Sequence, residues 1–304
     1  MYQELTEQQK HAQANTYKDL CAVSNEMVKM PKGTDVFDGW KVADAKPDQK
    51  SNFKGVLYEK DGQYVMCFVG TDKFSVKDHA ANMKMGLLGK SEQMRKANEF
   101  YQDMKDSYNL NADNCKIAGH SEGGTEATYV GINNGIQTYT YNAFGISKKL
   151  VDKNKNYDNL VINYRDPHDP VSKMKSNVGK TYITESTQNA IMAKTPLGLI
   201  QSHAIIRMGD CTTAQPIEEY KKSHPLFLDK ISEVVITRED IAEMPSDLYS
   251  VYENIIDERM AAGQIPSNYD AQFSVLRGDM VYVNGYTKDD GTEVKGYYRS
   301  YPTV

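Results

Sequence analysis

The stretch that most limits what this chain can fold into is Cys115-Lys116-Ile117-Ala118-Gly119-His120-Ser121-Glu122-Gly123-Gly124. A short apolar run ends in a Gly-x-Ser-x-Gly pentad, and Thr125-Glu126-Ala127-Thr128-Tyr129-Val130 behind it can open a helix. A strand passing into a helix through so sharp a turn holds its central residue in strained backbone and brings neighbouring main chain close. Both flanks must then be nearly free of side chain. Gly119 and Gly123 meet that need, and the layout is that of a nucleophile elbow. The bare pentad also occurs in unrelated loops, so other parts of the chain must supply the groups that would activate Ser121.

The chain is long enough, at 304 residues, to bury a large core as one α/β domain with or without a small module. With 36 Lys and Arg against 41 Asp and Glu, the net charge of -5 offers no general attraction to nucleic acid, and no basic stripe is present. The start, Met1-Tyr2-Gln3-Glu4-Leu5-Thr6-Glu7, has neither a positive leader nor an apolar core, so no Sec-type signal peptide is expected. No run of about 18 apolar residues suggests a membrane span. The expected setting is cytoplasmic, or exported by a leaderless route. Cys21, Cys67, Cys115 and Cys211 are scattered without a C-x-x-C pair, which favours buried thiols over disulfides or metal ligands.

Residues 1–30 carry apolar side chains at roughly helical spacing, and Pro31-Lys32-Gly33 breaks the pattern. Residues 53–60 and 63–69 are β-rich runs around Asp61-Gly62, a strong hairpin signal. The second run ends in Gly70-Thr71-Asp72, a turn able to aim a backbone N–H at an oxyanion. Residues 91–108 read as an amphipathic helix with Met94, Ala97, Phe100, Tyr101 and Met104 on one side. Beyond the elbow, residues 136–141, 160–164 and 180–184 are further strand candidates. Strands separated by helices or loops predict a mainly parallel sheet covered on both faces, with its ligand site beyond the carboxyl ends of the strands.

A serine hydroxyl needs a base to take its proton, and that base needs an acid to fix its tautomer and stabilise its charge. Behind such an elbow the chain order is Ser, Asp or Glu, then His, which removes His11, His79 and His120. Arg165-Asp166-Pro167-His168-Asp169-Pro170 follows the strand at 160–164 and offers Asp166 and Asp169. The two prolines make a rigid extended loop that favours Asp169. His168 is then too close in sequence to serve, which leaves His203 and His224. Order and spacing favour His203, which follows the apolar residues 191–200.

With these residues in place, the chain resembles the class 3 lipases of the α/β-hydrolase superfamily over about residues 50–210. Phe68-Val69-Gly70-Thr71-Asp72 stands for that family's Phe-Arg-Gly-Thr-Asp, and Asp78-His79-Ala80-Ala81-Asn82 for its Asp-Trp-x-x-Asn. Gly119-His120-Ser121-Glu122-Gly123-Gly124 stands for Gly-His-Ser-Leu-Gly-Gly, and Tyr141-Asn142-Ala143-Phe144-Gly145 for Phe-Asn-Ala-Pro-Gly. Asp169-Pro170-Val171 matches the acid loop, and Ser202-His203 falls where the family's base does. The resemblance implies an α/β-hydrolase fold, Ser121 as nucleophile, Asp169 as acid and His203 as base. It also implies an oxyanion hole from the Glu122 N–H and Thr71. The implied reaction is hydrolysis of an ester or lipid substrate through a Ser121 acyl-enzyme, without metal or organic cofactor. Three residues depart from the pattern: Val69 replaces an arginine, His79 an aromatic residue and Glu122 a leucine. A carboxylate at position 122 opposes a developing oxyanion unless it points away or is paired.

The expected boundary lies near residue 228, with a lipase-like domain over residues 1–228 and an appendage over residues 229–304. Residues 239–262 read as a helix stopped by Gly263, and residues 279–287 and 292–299 as a Tyr-rich β-hairpin. The appendage suits packing, targeting or a protein partner. Besides a lipase or phospholipase, the residues admit a bacterial effector phospholipase in peripheral contact with membranes. They also admit a weakly active or non-catalytic binding protein on the same fold. A thioesterase, amidase or peptidase uses the same triad, since an elbow specifies a nucleophile and not an acyl group.

Overall fold

The computed structural model describes residues 6–47, 53–70, 92–169, 171–173, 177–186, 202–224 and 256, with the backbone of four short strands between 280 and 300. Helix α1 (Glu7–Met27) opens with a capping box, in which the Thr6 hydroxyl accepts from the Gln9 N–H and the Gln9 side chain accepts from the Thr6 N–H. Its buried stripe is Ala14, Tyr17, Leu20, Cys21 and Ser24. Tyr17 and Leu20 follow the apolar spacing, whereas Ala12 is exposed, Val23 is half-buried, and Ser24 is fully buried with its hydroxyl bonded to the Leu20 carbonyl and the Tyr58 hydroxyl.

One eight-stranded sheet runs in sequence order: β1 (Lys41–Pro47), β2 (Lys54–Lys60), β3 (Gln63–Phe68), β4 (Cys115–His120), β5 (Thr138–Tyr141), β6 (Val161–Arg165), β7 (Lys180–Ile183) and β8 (Gln215–Pro216). Strands β3 to β7 are parallel, and the pairs β1–β2, β2–β3 and β7–β8 are antiparallel. The β2–β3 hairpin turns through Asp61 at φ 52° and Gly62 at φ 74°, the doubly positive pair that matches strand twist. Strand β1 carries no alternating apolar signal and includes Pro47, which a sheet tolerates only at an edge, and the strand is an edge.

The period of two along each strand divides the core into two layers. Val56, Tyr58, Val65, Cys67, Ala118, Tyr139, Tyr141 and Tyr164 pack with α1 on one face. Leu57, Met66, Phe68, Cys115 and Ile117 pack on the other, against α2 (Glu92–Tyr108) and α3 (Glu122–Asn134). Met94, Ala97, Phe100 and Tyr101 are the buried side of α2, as its spacing predicts. This is the expected α/β class with a mostly parallel sheet covered on both faces. Helix α4 (Ile217–Ser223) follows β8, a short pairing that has no strand-like run in the sequence to announce it.

The C-terminal strands form the expected hairpin in two pieces: β9 (Met280–Val283) pairs with β12 (Tyr297–Ser300), and β10 (Tyr286–Thr287) with β11 (Glu293–Val294), all antiparallel. The expected helix at 239–262 lies outside the described residues except Ile256, which is helical and fully buried.

Candidate active site

Helix α3 begins immediately at the carboxyl end of β4, with Ser121 between them at φ 59°, ψ -125°, a conformation L-residues rarely hold. The space for that turn comes from missing side chains. A Cβ on Gly119 would lie 2.2 Å from the Gly123 carbonyl oxygen, and one on Gly123 would lie 2.2 Å from the Phe68 carbonyl oxygen. Gly70, which ends the described part of the β3 segment, is also pressed against the elbow: its Cβ would lie 3.1 Å from the His120 carbonyl and 3.7 Å from the Glu122 nitrogen.

The structure brings Ser121, His203 and Asp169 together. His203 Nε2 lies 2.8 Å from Ser121 Oγ, and His203 Nδ1 lies 3.0 Å from Asp169 Oδ1. All three residues are buried. Asp169 also accepts the Val171 N–H on Oδ1 and the Ser172 N–H on Oδ2, each at 3.0 Å. Burial opposes ionisation of Asp169. The charge and hydrogen bond of His203, with those two N–H groups, outweigh it and leave the carboxyl below its ordinary pKa. With Asp169 ionised, the Nδ1–H of His203 points at it and Nε2 is left to accept from the Ser121 hydroxyl.

Asp166, the other carboxylate that the loop offers, is not at the histidine. Its Oδ1 accepts the His168 N–H at 2.8 Å, and its Oδ2 is buried without a hydrogen bond, although the Ser186 hydroxyl is near enough to favour the charged form. Burial, with Asp169 adding repulsion, pushes its pKa up to about 7. Two carboxyls three residues apart are thus driven in opposite directions, and only the one at the histidine is held as a stable anion. Because the folded pKa of Asp166 exceeds its unfolded value, its neutral form stabilises the fold at low pH, and that contribution is lost as pH rises through about 7. Asp166→Asn keeps the acceptor for His168 and removes the titration. The difference in Tm between pH 5 and pH 8 should therefore shrink in the variant, and an unchanged difference in calorimetry would show that another group controls it.

Of the oxyanion candidates, Glu122 heads α3, where first-turn N–H groups have no acceptor within the helix. Its side chain is half-buried and acts on Glu126 one turn further along. Burial, then the Glu122 charge, raises the Glu126 pKa well above normal, and Glu126 Oε2 has no hydrogen-bond partner. Thr71 lies outside the described residues, as do residues 78–82 and 191–200. His224 is away from the site: its ring stacks on Tyr220 at 3.9 Å, and Nδ1 faces the Tyr220 carbonyl and Ser223 hydroxyl. His11 instead meets the Tyr164 hydroxyl at 2.6 Å.

Two contributors were not legible in the residue order. His120 Nε2 donates to the His203 carbonyl at 2.7 Å, and the buried Asn142 reaches both the acid loop and the base segment. Both lie within motifs shared with the resembling family, His120 in residues 119–124 and Asn142 in residues 141–145, but the residue order did not reveal what their side chains bind.

Several known proteins are similar to parts of this chain. A search of curated proteins found no match. Among solved structures, Rhizomucor miehei triacylglyceride lipase is 14% identical, covering 69% of this chain and 99% of its own, with a TM-score of 0.46. A Penicillium expansum triacylglycerol lipase is 10% identical, covering 66% and 90%, with a TM-score of 0.42. Rhizopus niveus lipase II is 12% identical, covering 59% and 82%, with a TM-score of 0.43. The decisive match is to a family model, the Tle-like phospholipase domain of phospholipase-like proteins, over residues 7–210. That match spans more than half of the chain and takes in Ser121, Asp169 and His203, and the chain belongs to this phospholipase-like family, ester hydrolases of lipase and phospholipase type.

Proposed function

We propose that the chain cleaves acyl esters of lipids by a serine mechanism, with Ser121 as nucleophile, His203 as base and Asp169 as acid. The observation that carries this reading is the continuous hydrogen-bonded line from Ser121 Oγ through His203 to Asp169, set on a strained elbow. His203 Nε2 takes the hydroxyl proton as Oγ bonds to the acyl carbon, and the oxyanion forms against the Glu122 N–H, with Thr71 as the second donor. His203 then passes the proton to the leaving alcohol oxygen as the ester C–O bond breaks. Water, deprotonated by His203, attacks the acyl-enzyme, and the proton returns to Ser121 Oγ as the fatty acid departs.

We also propose peripheral contact with a lipid surface, as a lipid-ester substrate would require. Among the described residues no helix is long and apolar enough to cross a membrane. We assign residues 1–228 to hydrolysis and residues 229–304 to an appendage that contacts a protein partner or directs the enzyme to its target. The paired strands of the C-terminal hairpin support a separate small unit.

The test is labelling with a fluorophosphonate, comparing intact protein with Ser121→Ala and mapping the adduct by mass spectrometry, followed by hydrolysis of phosphatidylcholine vesicles. An adduct on Ser121 that vanishes in the variant, with fatty acid released by wild type only, is the expected result. A folded protein without adduct favours a binding protein on a lipase fold.

A further inference from the structure

We propose that Asn142 is a positioning residue, one buried amide that ties the acid loop and the base segment to the end of β5 and so sets the reach of His203 to Ser121 and Asp169. The proposal rests on the reading of Ser121 as nucleophile.

Asn142 directly follows β5, fully buried, at φ 45°, a left-handed conformation that asparagine tolerates better than most residues. Its own N–H is fixed to the Tyr164 carbonyl at 2.9 Å, so its backbone is anchored to β6, a central strand of the sheet. The side chain then reaches both ways. Oδ1 accepts the Asp166 N–H at 2.8 Å, while Nδ2 faces the Ser202 carbonyl at 3.0 Å and the His203 carbonyl at 3.3 Å. Reversing the amide would set an N–H against an N–H and an oxygen against two carbonyls, so the surroundings allow only this orientation.

Each contact lies close to a reacting group along the chain. Asp166 opens the turn whose carbonyl accepts the Asp169 N–H at 3.2 Å, so holding Asp166 holds the acid. His203 sits in a turn, and its carbonyl takes bonds from Asn142 on one side and from His120, the neighbour of the nucleophile, on the other. Nucleophile, base and acid come from three separate chain segments, and this amide with the His120 ring references them to a common frame. Catalytic geometry tolerates only about 0.5 Å of error, and a displacement near 1 Å can cost about 100-fold in rate.

Two variants separate positioning from general support. Asn142→Asp keeps the shape, the tolerance of positive φ and the acceptor for Asp166, but turns an oxygen toward the two carbonyls. Asn142→Gly keeps the backbone conformation and removes every side-chain bond. For a soluble short-chain ester, both should stay folded and lose about 10- to 100-fold in kcat with KM within about twofold, and fluorophosphonate labelling should slow in parallel. Unchanged kcat, or a fall in Tm alone, overturns the proposal. Failure of both variants to fold also overturns it, because the residue would then be serving the fold as a whole. Ser121→Ala, assayed alongside, keeps the two claims apart. Activity surviving there overturns the nucleophile reading and this proposal with it, whereas an inactive Ser121→Ala beside fully active Asn142 variants overturns this proposal alone.

Discussion

Replacing His203 by alanine should lower kcat for acyl-ester hydrolysis by about 10⁴- to 10⁶-fold, while His224→Ala should leave it within about twofold. The contrast follows from what each ring touches. His203 Nε2 is 2.8 Å from Ser121 Oγ, so without it the hydroxyl keeps its proton and the leaving alcohol has no donor. The two bonds Asp169 accepts from Val171 and Ser172 remain in the variant and satisfy part of the uncovered charge, so the protein should still fold with reduced stability. His224 is exposed and occupied by residues of its own helix end. Initial rates on a soluble ester and on phospholipid vesicles, with circular dichroism as the folding control, decide the matter. An active His203→Ala beside an inactive His224→Ala would mean that the base has been misassigned.

The second large effect is structural. Gly123→Ala would place a Cβ 2.2 Å from the Phe68 oxygen and 2.7 Å from its carbonyl carbon, and both belong to main chain. Strand β3 is hydrogen-bonded to β2 and β4, so it cannot yield, and α3 would have to lift away from the sheet. Glu122 and Ser121 would move with it. We expect a loss of about 3 kcal/mol or more, a fall in Tm of roughly 6–12 °C, together with a loss of activity in whatever remains folded. Gly135→Ala is the control: φ is +70° there and nothing lies within 4 Å of a Cβ, so only left-handed strain of about 1–2 kcal/mol is added and activity should persist. Equal losses in the two variants would show that backbone strain, and not close approach, makes Gly123 necessary.

Features set by near neighbours in the chain were legible in the residues. The elbow needs small flanks within two positions of Ser121, the β2–β3 turn needs residues that accept positive φ, and α2 needs an apolar stripe at helical spacing. Each constraint acts over a few residues, so the order of residues records it. Strand β1 escaped notice because an edge strand buries little and needs no alternating apolar pattern. On α1 residue order does not reveal that Ser24 joins the buried face, since its hydroxyl is satisfied by the Leu20 carbonyl and the Tyr58 hydroxyl.

By itself the sequence determined the elbow, the α/β alternation and the short list of groups able to activate a serine, since those follow from local sterics and from the chain order of the triad. Only the tertiary structure shows that Asp169, and not Asp166, lies at His203, that His224 lies elsewhere, and which buried amide joins these segments. The reason is physical: those choices rest on hydrogen bonds of about 3 Å between residues 34 to 82 positions apart, and such contacts exist only once the sheet has brought the loop ends together.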